Sequence, residues 1–255
     1  MQVKPVLITA FSIERCLAGC MLAGLLLQTA ACTSVPPNDT ASPDIQVATV
    51  PTFDAWQHYP LPGKKATKFL IAKMDGRDVV VASADASASM LRRALRIEAA
   101  ELGHIKFSWM VPHLIKNADI AQRQSDDSPV RIVLAFEGDR SSFSMKNVML
   151  SELSLTLTGE ALPYATLMYV WCNIRPPGTV IINPRTDRVR KMVVESGTNG
   201  LSRWLNYDRN IRADFEKAFG EPPGALMGIG LMTDTDNTRT KTRAWYGPLT
   251  LTASH

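Results

Sequence analysis

Apolar and polar residues alternate at every second position in many short stretches, and this confines the chain to a β-rich fold. Residues 105–111 put Ile105, Phe107, Trp109 and Val111 on one face and Lys106, Ser108 and Met110 on the other. Further strands are expected at 130–136, 153–158, 164–171, 179–182, 189–195, 226–232 and 243–251. Residues 68–72 and 78–82 read as a hairpin joined at Asp75-Gly76, a favoured two-residue turn. Residues 84–102 fit a strand or a helix alike, because Met90, Leu91, Ala94, Leu95 and Glu98 also match helical spacing. One amphipathic helix stands out: Trp204, Tyr207, Ile211, Phe215, Ala218 and Phe219 recur at three- and four-residue steps. Gly220 and then Pro222-Pro223 stop it. Many short strands with Gly, Pro, Asn and Asp between them predict a sandwich or a barrel.

The first 32 residues bear on where the chain works. Lys4 and Arg15 give a basic start, residues 16–31 carry no charge, and Ala30-Ala31 precede Cys32. This is the pattern of a secretory signal, and a cysteine at the cut is the pattern of a bacterial lipoprotein. The apolar run is short of the roughly 20 residues needed to span a bilayer. Cys32 is therefore the expected acylated residue. Thr33, in place of an aspartate after the cysteine, points to the outer membrane and its periplasmic face. Residues 33–50, with Pro36, Pro37 and Pro43 among short polar residues, read as a flexible tether. Residues 51–255 then form a single domain.

Of the 4 cysteines, only Cys172 lies beyond residue 32, so the domain has no internal disulfide and depends on its core. Without Lys4, Arg15 and Glu14 the chain keeps 26 basic and 23 acidic side chains, a net of +3. These charges are interspersed and form no basic stripe, which excludes a nucleic-acid binder.

Five segments resemble one bacterial family. They are Asp126-Asp127-Ser128-Pro129-Val130-Arg131-Ile132-Val133; Leu167-Met168-Tyr169-Val170-Trp171; Met192-Val193-Val194-Glu195-Ser196-Gly197; the helix end Ala218-Phe219-Gly220; and Ile229-Gly230-Leu231-Met232-Thr233-Asp234-Thr235-Asp236-Asn237-Thr238. In order and spacing they are similar to the domain-of-unknown-function family numbered three thousand and forty-seven, over about residues 52 to 252. The resemblance implies a mostly β, jelly-roll-like antiparallel β-sandwich with one packed amphipathic helix. It also implies strand at 89–97. It implies no activity.

The richest candidate site is Asp234-Thr235-Asp236-Asn237-Thr238. In an extended chain Asp234 and Asp236 face the same side. Two carboxylates plus the Asn237 oxygen suit a hard cation such as Ca²⁺. The same residues suit a ligand contact, or a turn in which they bond their own backbone. Glu195, at the end of an apolar strand, is a candidate acid or nucleophile on a glycan, paired with Asp234 or Asp127; two carboxyls about 5–10 Å apart are needed. The alternative is a structural pair of Glu195 with Arg131 or Arg209. Asp126-Asp127 before Pro129 reads as a loop with a cap. Arg131 sits on an otherwise apolar strand and needs a carboxylate partner, with Asp127 and Glu195 as candidates.

Trp109 and Trp204 lie on core stripes, whereas Trp171 and Trp245 lie at strand ends, where core and sugar-stacking roles are equally open. Cys172 reads as a buried apolar residue, and His58, His104, His113 and His255 form no metal or nucleophile motif. The expected protein is an envelope lipoprotein. Its sandwich binds a glycan without cleaving it, through Asp127, Arg131, Trp171, Glu195, Asp234, Asp236 and Asn237. Two alternatives remain open: a glycan hydrolase or lyase using Glu195 with an aspartate, and an envelope assembly protein.

Overall fold

The computed structural model describes the backbone of residues 47–49 and all of residues 55–74 and 76–253. The expected signal, Cys32 and most of the expected tether lie outside the described residues. Among the described residues, no helix is long and apolar enough to cross a membrane.

The described chain is mostly strand, laid in two sheets. The first sheet runs β1 (Val47–Thr49), β14 (Thr250–Ala253), β6 (Leu102–Met110), β13 (Lys241–Tyr246), β4 (Arg77–Asp85) and β3 (Lys68–Met74), and β11 (Leu205–Asn210) also pairs with β6. The second runs β2 (Gln57–Pro60), β5 (Ala88–Ile97), β12 (Leu226–Asp234), β7 (Ser128–Phe136), β8 (Ala165–Cys172), β10 (Thr186–Ser196) and β9 (Val180–Asn183). The pairings are antiparallel except that β10 lies parallel to β8, a departure from the all-antiparallel expectation. The expected pairing of the strands on either side of Asp75-Gly76 is present, Met74 facing Arg77 with Gly76 at φ +76°, while Asp75 lies outside the described residues. Residues 88–97 are strand.

Alternation sets the core. Ile132, Leu134 and Phe136 of β7 meet Leu167, Tyr169 and Trp171 of β8 between the sheets, with Phe107 and Trp109 of β6 opposite. The helix α2 (Ile211–Phe219) closes one end, with Phe215 4.6 Å from Phe136, centroid to centroid. Trp171, Trp109 and Tyr169 are at most 1% exposed.

Three local expectations are corrected. The expected helix from Trp204 starts only at Ile211, because Asn210 caps it by accepting from the Ala213 amide at 2.9 Å. Residues 205–210 instead extend along β6, Leu205 facing Trp109 and Asn210 facing His104. The expected strand at 153–158 is helix, part of α1 (Met145–Thr158). Its alternating Leu, Ser and Thr residues are outweighed by the caps, Ser144 bonding the Asn147 amide and Gly159 at φ +76° receiving the chain. The described chain therefore carries two α-helices, not one.

The second sheet is covered on both faces in part. On the face away from the main core, Ile120, Val170, Cys172, Ile181 and Val193 form a small separate cluster. The free part of that face carries the candidate site.

Candidate functional site

Residues of β7, β8 and β12 that skip the main core point to the outer face of the second sheet. Arg131, Val133 and Ala135 are such residues on β7. Arg131 is 2% exposed and meets Asp234 of β12 head on. Its Nε donates to Asp234 Oδ1 and its Nη2 to Asp234 Oδ2, each at 2.9 Å. The same Nη2 donates to Asp126 Oδ1 at 3.1 Å. Two parallel bonds of this kind fix both groups in plane. Burial opposes the charge on Arg131, and Asp234 and Asp126 overcome it, holding the guanidinium above its ordinary range. Burial pushes the Asp234 carboxyl up to about 6, and Arg131 opposes that rise.

Lys191 of β10 completes the cluster. It is 1% exposed, and its Nζ donates to Asp126 Oδ2 at 2.5 Å and to the Ile120 carbonyl at 2.6 Å. Burial, with the neighbouring Arg131 charge added, pulls its ammonium down to about 8. An unfolded lysine titrates near 10.4. The unfolded chain thus binds the extra proton between these values, so stability rises with pH from about 8 to about 10. A gain of about 2 kcal/mol between pH 7.5 and 9.5 is expected from this group, read from urea midpoints. Lys191→Met should flatten it; parallel curves for the two proteins would refute the assignment.

Asp127 serves a loop. Its carboxylate accepts from the Asn237 amide at 3.2 Å and the Asn237 side chain at 2.9 Å. It also accepts the Thr238 amide and hydroxyl, each at 2.6 Å. Asp236 pairs with Lys64. Asp127, Asp234 and Asp236 bring carboxylate oxygens within 4.8 Å of one another. Those oxygens already accept from Arg131, Lys64 and loop donors, so a cation such as Ca²⁺ would have to displace them. The arrangement is that of a clasped turn.

A cavity of about 150 Å³ opens over this cluster, with Lys64, Arg123, Arg131, Arg185, Lys191 and Asp236 in its walls. It adjoins a groove of about 1060 Å³ along the outer face of the second sheet; Leu61, Met168, Asn183 and Arg185 line both. Val133, Ala135, Gly228 and Gly230 lie along the groove, and Leu150, Leu153 and Leu157 of α1 form part of one wall.

The structure brings together Arg131, Asp234, Asp236 and Asn237 around this cavity, with Asp127 beneath the loop. It does not bring Trp171 or Glu195 to it. Trp171 is 1% exposed in the main core and donates its indole N–H to the Gly197 carbonyl at 3.0 Å, so it presents no stacking face. Glu195 accepts from the Tyr207 hydroxyl at 2.9 Å and from the Ser196 amide, not from Arg131 or Arg209. Arg209 pairs instead with Asp214. The expected partners of Arg131 are likewise corrected: Asp234 and Asp126 hold it, not Asp127 or Glu195.

Sequence reasoning passed over Lys191, Lys64 and the α1 leucines. Lys191 had a signal, a cation running directly into the apolar Met192-Val193-Val194 of its strand. Lys64 had none, since its partner lies 172 positions away.

A family model described as "Protein of unknown function (DUF3047)" matches residues 54–250. No curated protein matches the chain. Among solved structures, the xyloglucanase domain of NopAA, a type three effector from Sinorhizobium fredii, is 9% identical at TM-score 0.39, covering 78% of this chain and 93% of that one. The low-affinity xylan binding module CBM86 from Roseburia intestinalis is 11% identical at TM-score 0.29, covering 78% and 96%. The family 11 xylanase from Neocallimastix patriciarum is 8% identical at TM-score 0.33, covering 78% and 100%. Likeness at this level carries no argument about what this chain binds.

Proposed function

The chain belongs to the DUF3047 family of proteins of unknown function, and from that premise we propose that it is an exported binding protein. Its ligand lies in the groove on the outer face of the second sheet and is held there without being cleaved. The supporting observation is the groove itself, about 1060 Å³ and running to the polar end of the Arg131 cluster. Ligand sites are concave and mostly apolar, with a few convergent polar groups, and this one sits on a rigid sheet.

A binding role suits the carboxylates better than catalysis. Glu195 does not line the groove, and both its oxygens accept from within the protein. Asp127, Asp234 and Asp236 each accept from loop donors or cations. A glycan reading rests on the polar end, where Asp236, Asn237 and Arg185 would bond hydroxyls.

The test is a thermal melt of the full chain against a glycan panel and long-chain carboxylates. A ligand at a hundred times its dissociation constant adds about 2.7 kcal/mol. For a domain of this size that is roughly 5–10 °C. The shift is expected to vanish in Ala135→Phe, which fills the groove floor. A full shift in that variant would place the ligand elsewhere and overturn the reading.

The proposed location follows from Cys32 as an acylated anchor. Labelled palmitate should enter the parent chain and not Cys32→Ser; equal labelling of both would refute the anchor.

A further inference from the structure

Helix α1 is built inside out. Its buried side chains are polar: Asn147 donates to Asp187 at 2.7 Å and accepts from Thr186 at 2.8 Å, and Ser151 accepts from Arg140 at 3.2 Å. Its large apolar side chains face out, Leu153 at 54% and Leu157 at 59% exposed, and both line the groove. A surface helix ordinarily does the reverse. Met227, 41% exposed, also lines the groove, and Gly228 and Gly230 keep side-chain bulk off that stretch of β12. The lining is therefore mainly aliphatic.

Its aromatic rings do not offer open plates for sugars. The Arg92 guanidinium lies over Tyr59 at 4.0 Å, the Arg188 guanidinium lies over Tyr164 at 4.2 Å, and Phe136 is buried in the core. At the polar end, Lys64, Arg131 and Lys191 are each paired with an aspartate. Arg123 and Arg185 are exposed there and make no ion pair among the described residues. Two guanidiniums without counter-charges at the mouth of an aliphatic groove call for an anion joined to a hydrocarbon chain.

We infer that the groove holds a long-chain fatty carboxylate, its chain along α1 and its carboxylate at Arg185 and Arg123. This rests on the groove reading above and names its ligand. The carboxylate forms ion-paired hydrogen bonds to the guanidiniums, and the chain covers Leu153, Leu157 and Met227.

The test is equilibrium dialysis of labelled dodecanoate, tetradecanoate and hexadecanoate against the full chain carrying Cys32→Ser, so that no attached acyl group competes. One site per chain is expected, tightening about two- to fourfold per added methylene. Leu157→Glu, a change at an exposed position, should weaken hexadecanoate at least tenfold. Arg185→Glu should weaken hexadecanoate about tenfold and leave hexadecanol unchanged. Hexadecanoate binding that ignores both Leu157→Glu and Ala135→Phe would overturn the inference. So would flotation with phosphatidylglycerol vesicles in the absence of hexadecanoate binding, which would make α1 a membrane contact. A glycan that binds, is lost in Ala135→Phe and has no fatty-acid counterpart would remove the inference and leave the groove reading standing. Failure of every glycan and carboxylate to bind would remove both.

Discussion

Asp234→Ala is expected to destabilise the fold by about 3–5 kcal/mol, because it leaves a buried guanidinium without its main partner. Arg131 is 2% exposed, and Asp234 supplies two of its bonds at 2.9 Å. The substitution also strips the acceptor from the Ser128 amide, bonded to Asp234 at 3.0 Å. Asp126 remains, but it already serves Lys191. Arg131 borders the cavity above the cluster, but at 2% exposure water there replaces only part of the lost charge. Urea unfolding read by tryptophan fluorescence measures the loss. The double variant Arg131→Met, Asp234→Leu should recover much of it, since a matched apolar pair removes the desolvation cost along with the attraction. A loss below 1 kcal/mol in Asp234→Ala would mean that the pair is solvated and the cluster is not a buried one.

Trp171→Ala should cost a similar amount, about 3–5 kcal/mol, with no direct effect on ligand affinity. The indole fills the main core between the sheets and bonds the Gly197 carbonyl. It packs close to Gly200, where an added Cβ would lie 3.1 Å from the indole. Removing it leaves a cavity that strand neighbours cannot close. The check is a urea midpoint together with binding measured at a temperature where both proteins are folded. Weaker binding at full folding, with the midpoint unchanged, would return Trp171 to the ligand site.

Trp171 shows how far local pattern reaches. Its place at the end of an apolar strand left core and surface equally open, and only the packing of β6 against β8 decided for the core. Arg131 was visible as an anomaly, a cation on an apolar strand, and the need for a carboxylate followed from its burial. Which carboxylate was not visible, because β12 arrives beside β7 only after 103 positions of chain. Residues 153–158 illustrate the opposite failure. Their alternation was real, yet Ser144 and Gly159 cap a helix around them, and the alternation ended as leucines exposed on a groove wall.

The sequence by itself determined what depends on neighbours a few residues apart. That includes the β-rich class, the hairpin at Gly76, the face that residues 105–111 turn to the core, and the stop at Gly220. These follow from backbone preference and period-two burial, which short segments carry on their own. Only the tertiary structure decided the pairing of Arg131 with Asp234, the burial of Lys191, the inside-out seating of α1, and the groove that joins them. Each depends on which segments meet across the outer face of the second sheet. That is settled by the summed burial and hydrogen bonding of the whole domain rather than by any one stretch.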